Sequence, residues 1–109
     1  MDLNINELVK QMLEIAKGEL GGAYAEAKEF AEAEFKKLLD NSIFLAEKVA
    51  AGDMTLERAQ RHMKMSQKAA EAVLLTVEGI GLDAAESAVN GALDAVKDAV
   101  NSALPVDIL

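Results

Sequence analysis

The sequence predicts an all-α protein, a long antiparallel helical hairpin with glycine-kinked arms that assembles with further copies into an oligomeric bundle. Three observations carry that expectation. A single strong turn signal, Gly52-Asp53-Met54-Thr55, divides the chain into two arms of nearly equal length. Apolar residues recur at alternating spacings of three and four in the second arm and, less regularly, in the first. Each arm also carries more apolar surface than one partner helix would cover.

The first arm is expected over about 6–51. It opens with two neighbouring seams, Ile5-Leu8-Met12-Ile15 and Val9-Leu13-Ala16-Leu20, and continues as Tyr24, Ala27, Ala31, Phe35, Leu38, Ser42, Leu45 and Val49. The turn follows at 52–55: Gly52 can take the left-handed conformation that ends a helix, and Thr55 is a good N-cap. Glu57 then suits the positive end of the next helix dipole, although Arg58 stands where a full capping box would have Glu or Gln. The second arm runs over about 56–103. Its first seam is Leu56, Ala59, Met63, Ser66, Ala70, Val73, Val77, Ile80 and Ala84; the second is Leu82, Ala85, Val89, Ala92, Val96, Ala99 and Ala103. Asp83, Glu86, Asn90, Asp94, Lys97 and Asn101 leave it only a narrow polar stripe. Pro105 stops the helix and leaves a tail at 104–109.

The six glycines other than Gly52 fall inside these arms. A helix-interior glycine costs ~1 kcal/mol relative to alanine, so their tolerance suggests close helix packing. Folding about the turn sets Gly22 near Ala85, Ala16 near Gly91 and Ala27 near Ile80. Continuous arms would reach ~70 Å at ~1.5 Å per residue. The alternative is a monomeric four-helix bundle, with the arms broken at Gly21-Gly22 and Gly79-Gly81. The continuous hairpin is favoured because neither glycine site has the polar residues of a reversal, and the seam keeps phase through Val77, Ile80 and Ala84.

Composition excludes several classes. With 109 residues there is room for one helical domain, 1–109. There is no cysteine, so no disulfide or thiolate metal site is available. A net charge of −8 argues against nucleic acid as a partner. The 51% hydrophobic content argues against disorder. The polar start and the lack of a long apolar run point to a cytoplasmic protein without a transmembrane segment.

Gly79-Ile80-Gly81-Leu82-Asp83-Ala84 matches the G-x-G-x-x-A turn of dinucleotide-binding folds, with Ala72–Val77 as the strand before it and Asp107 as the later acid. That turn works only when a parallel sheet holds it, and no further strands are on offer, so the glycines are read as helix glycines. His62 is the only histidine and has no carboxylate one turn away, which leaves no nucleophilic triad. No Glu-x-x-His occurs for a bundled di-iron site. Glu19, Glu26, Glu29, Glu32 and Glu34 read as a solvated face rather than a cation site. We therefore expect no catalytic residue, no cofactor and no metal.

The basic residues do gather. Arg58, Arg61, His62, Lys64 and Lys68 lie next to the turn and form the candidate contact for an anion or a partner. The competing account is pairing across the arms, Lys68 with Asp40 and Arg61 with Glu47. The functional expectation is a non-enzymatic oligomeric scaffold or protein-interaction module, with itself and an unidentified protein as partners. The alternative is an amphipathic protein that coats a lipid or polymer granule, binding peripherally through the wide apolar face of Leu82–Ala103. Alanine-rich amphipathic helices with few aromatics resemble phasin-like granule proteins in composition only.

Overall fold

Asn4 starts the first helix: its side chain accepts from the Glu7 amide at 3.2 Å, satisfying one of the free donors of the first turn. A computed structural model describes residues 3–109. The helices are α1 (Ile5–Leu20), α2 (Tyr24–Ala50), α3 (Leu56–Leu74) and α4 (Leu82–Ala103), with a 3-10 turn at Gly21–Ala23. No strand occurs among the described residues.

The turn between α2 and α3 forms as its residues dictate. Gly52 has φ +80°, and its amide donates to Val49 O while the Asp53 amide donates to Lys48 O, both at 3.0 Å. That pair of bonds is the Schellman closure, which satisfies the last carbonyls of α2. Thr55 caps α3 by accepting from the Arg58 amide at 3.2 Å. At the other end Leu104 is extended, with φ −101° and ψ 158°, as the residue before Pro105 must be.

Pairing between the arms follows the expected hairpin. α1 packs chiefly on α4 and α2 chiefly on α3. A β-carbon on Gly91 would lie 2.9 Å from Ile15 Cγ2, so Ile15 rather than its neighbour Ala16 faces that glycine. In the same register Asn41 Nδ2 donates to Ser66 Oγ at 3.1 Å across α2 and α3.

Continuity of the arms is corrected. The longest dimension is 43 Å, well short of ~70 Å arms. Both arms reverse near their middle, so the paired layer α1/α4 folds onto the paired layer α2/α3 and one chain closes a ring of four helices. In arm one the reversal centres on Gly21, at φ 57° and ψ −130°, while Leu20, Ala23 and Tyr24 keep right-handed helical dihedrals. In arm two α3 tightens through Thr76 N–H to Val73 O and Val77 N–H to Leu74 O, then breaks at Gly79, which has φ +91°. The four-helix arrangement within one chain is thus the architecture observed. The radius of gyration, 13.7 Å, is near the ~13 Å of a compact globule of this length.

The core uses the seams read from the sequence. Val9, Met12, Leu13 and Ala16 of α1 meet Ala85, Val89, Ala92, Val96 and Val100 of α4; Phe35, Leu38 and Leu39 of α2 meet Ala59, Met63, Ala70 and Leu74 of α3. Truncating a buried side chain such as Phe35 to alanine would cost ~3–5 kcal/mol. Most of the apolar face of α4 is thereby covered, with Leu82 at its start and Ala99 near its end left exposed. The close-packing account of the glycines holds for Gly91 alone among those of the arms. Nothing lies within 4 Å of a β-carbon placed on Gly18, Gly21, Gly22 or Gly81, and Gly79 meets only an ordinary contact.

Candidate functional site

The five basic residues expected to form one site are divided by the turn of α3. His62 and Lys64 flank the buried Met63 on opposite sides, and Arg58, one turn from His62, lies on its flank. Arg58 and His62 are exposed. Arg61 approaches Glu57 at 3.8 Å and Lys68 approaches Glu71 at 3.5 Å, both within α3. The cross-arm pairs with Glu47 and Asp40 do not form among the described residues. Lys68 serves the fold: the Glu71 side chain is only 5% exposed, and the lysine head neutralises it from the surface.

Lys64 is the member that reaches a concave site. α3 and α4 are less closely packed than either layer is within itself, and they leave a cleft of about 530 Å³ between them. Met63 and Leu93 supply its apolar floor; Lys64, Asp94 and Lys97 stand around it. Gln67 Nε2 donates to Asn90 Oδ1 and ties the helices together at the end toward the α3–α4 loop.

The opposite end is filled by the chain's own tail. Pro105 directs the chain back, and Ile108 is driven into the cleft until it is 1% exposed. Side-chain amides hold the tail by its backbone. Gln60 Nε2 donates to Asp107 O at 3.1 Å, Asn101 Nδ2 donates to Leu109 O at 3.1 Å, and the Leu109 amide donates to Asn101 Oδ1 at 3.0 Å. The tail is bent, with the Ile108 amide donating to Val106 O at 3.0 Å, and it is held by amide contacts to its main chain beside a pocket for a branched apolar side chain.

Gln60, Gln67, Asn90 and Asn101 were not singled out in the sequence reading. The available signal was the narrow polar stripe of α4, since Asn90, Asp94 and Lys97 of that stripe line the cleft and Asn101 binds the tail. The dinucleotide motif lacks its strand: 72–74 end α3, and 75–77 continue as turns. Gly79 and Gly81 are not helix glycines either, because Gly79 lies in the loop and Gly81 is the N-cap of α4.

Near the first reversal, burial pushes the Tyr24 hydroxyl above its usual pKa of 10.0, and the carboxylates of Glu14 and Glu32 push in the same direction. Among the described residues no three His, Asp or Glu side chains gather as a metal site, and no helix is long and apolar enough to cross a membrane. No family model, curated protein or solved structure matches the chain.

Proposed function

We propose that the chain is a non-enzymatic helical interaction module that receives a short apolar peptide segment in the α3–α4 cleft and that also assembles with itself. The observation that carries the reading is the tail in the cleft, with Ile108 buried and its backbone neighbours held by Gln60 and Asn101. A surface that holds one short segment by side-chain amides on its main chain has the chemistry to bind another. Lys64 and Lys97 stand beside the open part together with Asp94, a rim of mixed sign whose lysines suit a segment with an acidic flank.

The test uses the full-length Ile108→Ser variant, which weakens the hold of the tail. Its isotope-labelled form is titrated with a synthetic hexapeptide of the sequence at 104–109. The module predicts saturable amide shifts at Gln60, Gln67, Asn90 and Lys97, absent with a scrambled peptide. Lack of saturable shifts at millimolar peptide would remove the reading. Molar mass by light scattering addresses the self-assembly.

For the coating alternative, α4 offers Leu82 and Ala99 at the surface while Ala85, Val89, Ala92 and Val96 are buried. On α2, Phe30 and Phe44, two heptads apart, are half-exposed. Co-sedimentation with anionic vesicles would favour a coat; an interaction module stays in the supernatant.

A further inference from the structure

The two reversals are neighbours in space. A β-carbon on Gly79 would lie 3.9 Å from Cβ of Ala23, so the breaks of both arms form one hinge line between the layers α1/α4 and α2/α3. Each side of the line turns on a glycine with positive φ, Gly21 at 57° and Gly79 at 91°. Such values favour glycine and disfavour helix.

The surrounding sequence is helical in pattern. Met63, Ser66, Ala70, Val73, Val77, Ile80 and Ala84 keep spacings of three and four straight through the loop. On the first arm all that separates α1 from α2 is the Gly21–Ala23 turn. Closure also leaves a cost at the hinge: Leu75 is 40% exposed and Leu82 is 56% exposed. They are seven residues apart, hence on one face if the segment becomes helix.

From this geometry we infer that the partner in self-assembly is a second copy that exchanges halves. Both hinges open, each chain becomes the long hairpin, and the α1/α4 layer of one copy packs on the α2/α3 layer of the other. The inference rests on the self-assembly in the proposed function and specifies its route. Every contact between layers is remade between copies, including the tail contact of Gln60, while the contacts inside each layer never break. The opened hinges cross at the centre of the dimer, where Leu75 and Leu82 meet the equivalent residues of the second chain.

The chain lacks cysteine, which makes the route directly readable. Two full-length variants, Gln67→Cys and Asn90→Cys, are mixed unfolded, refolded together at high concentration and oxidised. Exchange sets position 67 of one copy beside position 90 of the other and yields a disulfide-linked heterodimer. The double variant Gly21→Ala/Gly79→Ala, which disfavours both closed hinges, should raise the dimer-to-monomer ratio by on the order of tenfold or more with helicity slightly increased. A dimeric mass without the 67–90 link overturns exchange and leaves self-assembly standing. A monomeric mass for the wild-type chain after high-concentration refolding overturns both. If the glycine variant unfolds, the cysteine pair on the wild-type hinges still decides.

Discussion

Ile15 and Gly91 face each other across the α1–α4 interface so closely that a β-carbon on Gly91 would lie 2.9 Å from Ile15 Cγ2. The glycine therefore sets the depth to which the two helices approach. Gly91→Ala gains ~1 kcal/mol of helix propensity, and pushing aside a stiff β-branched side chain costs ~1–3 kcal/mol. We expect a net loss of about 1 kcal/mol in chemical denaturation. Adding Ile15→Leu, which removes the γ2 branch, should turn that loss into a gain. A double variant no more stable than Gly91→Ala alone would mean that Cγ2 is not the obstacle.

Gly18 presents the opposite case. It sits in α1 with open space around its β-position and a backbone that any residue adopts. Gly18→Ala should stabilise by up to ~1 kcal/mol, about 4 °C in melting temperature. Gly52→Ala, also in open space but at φ +80°, should destabilise by ~1–2 kcal/mol. Thermal melts of the two variants should move in opposite directions.

How much of this was legible beforehand follows from which signals are local. The Gly52–Thr55 turn, the Thr55 cap and the stop before Pro105 each depend on one residue's backbone preference, and all three formed as read. The heptads encoded which helix faces pair, and the Ile15–Gly91 contact fell within one residue of its expected level. The reversal at Leu75–Gly81 stood only as the alternative, and it was passed over for a physical reason. Loops are recognised by polarity, yet Val77 and Ile80 are buried and plug the end of the bundle, so this loop carries the periodicity of a helix. At the candidate site the basic cluster led to Lys64 alone. The glutamines and asparagines that grip the tail have no period of their own, and Ile108 was assignable to the cleft only once α3 and α4 were side by side.

The basic residues of α3 should separate by burial of their partners. Arg61→Met removes an exposed pair worth ~0–0.5 kcal/mol. Lys68→Met strands the buried Glu71 carboxylate and should cost ~1–3 kcal/mol, with Glu71→Leu restoring stability in the double variant. Equal, small effects at both sites would contradict the structural assignment of Lys68.

Alkaline stability should depend on Tyr24. Its pKa is raised in the folded chain, first by burial and then by Glu14 and Glu32, so folding favours the neutral phenol. The contribution is present in full below the unfolded value of ~10 and is lost as pH rises through the folded value. Melting temperature should therefore fall above pH ~10, less steeply in Tyr24→Phe. Tyr24 is the only tyrosine, so tyrosinate absorbance reports its titration without interference. A midpoint at or below that of a free tyrosine peptide would refute the assignment.

Leu3 and Ala103 line the same shallow pocket, together with Asn4, Leu8 and Ser102. The start of α1 and the end of α4 are adjacent, so the order of the helices along the chain is separable from their order around the ring. A circular permutant with a flexible linker from Leu109, held beside Asn101, to the start of α1, and opening at Gly52–Asp53, would keep every helix while exchanging the tight turn for free termini. Its two new ends would emerge at the same end of the bundle as the joined ends, because Gln60, near the start of α3, touches Asp107 of the tail. Reporter groups fused there would sit beside each other and close to the tail, so they would sense its release from the cleft.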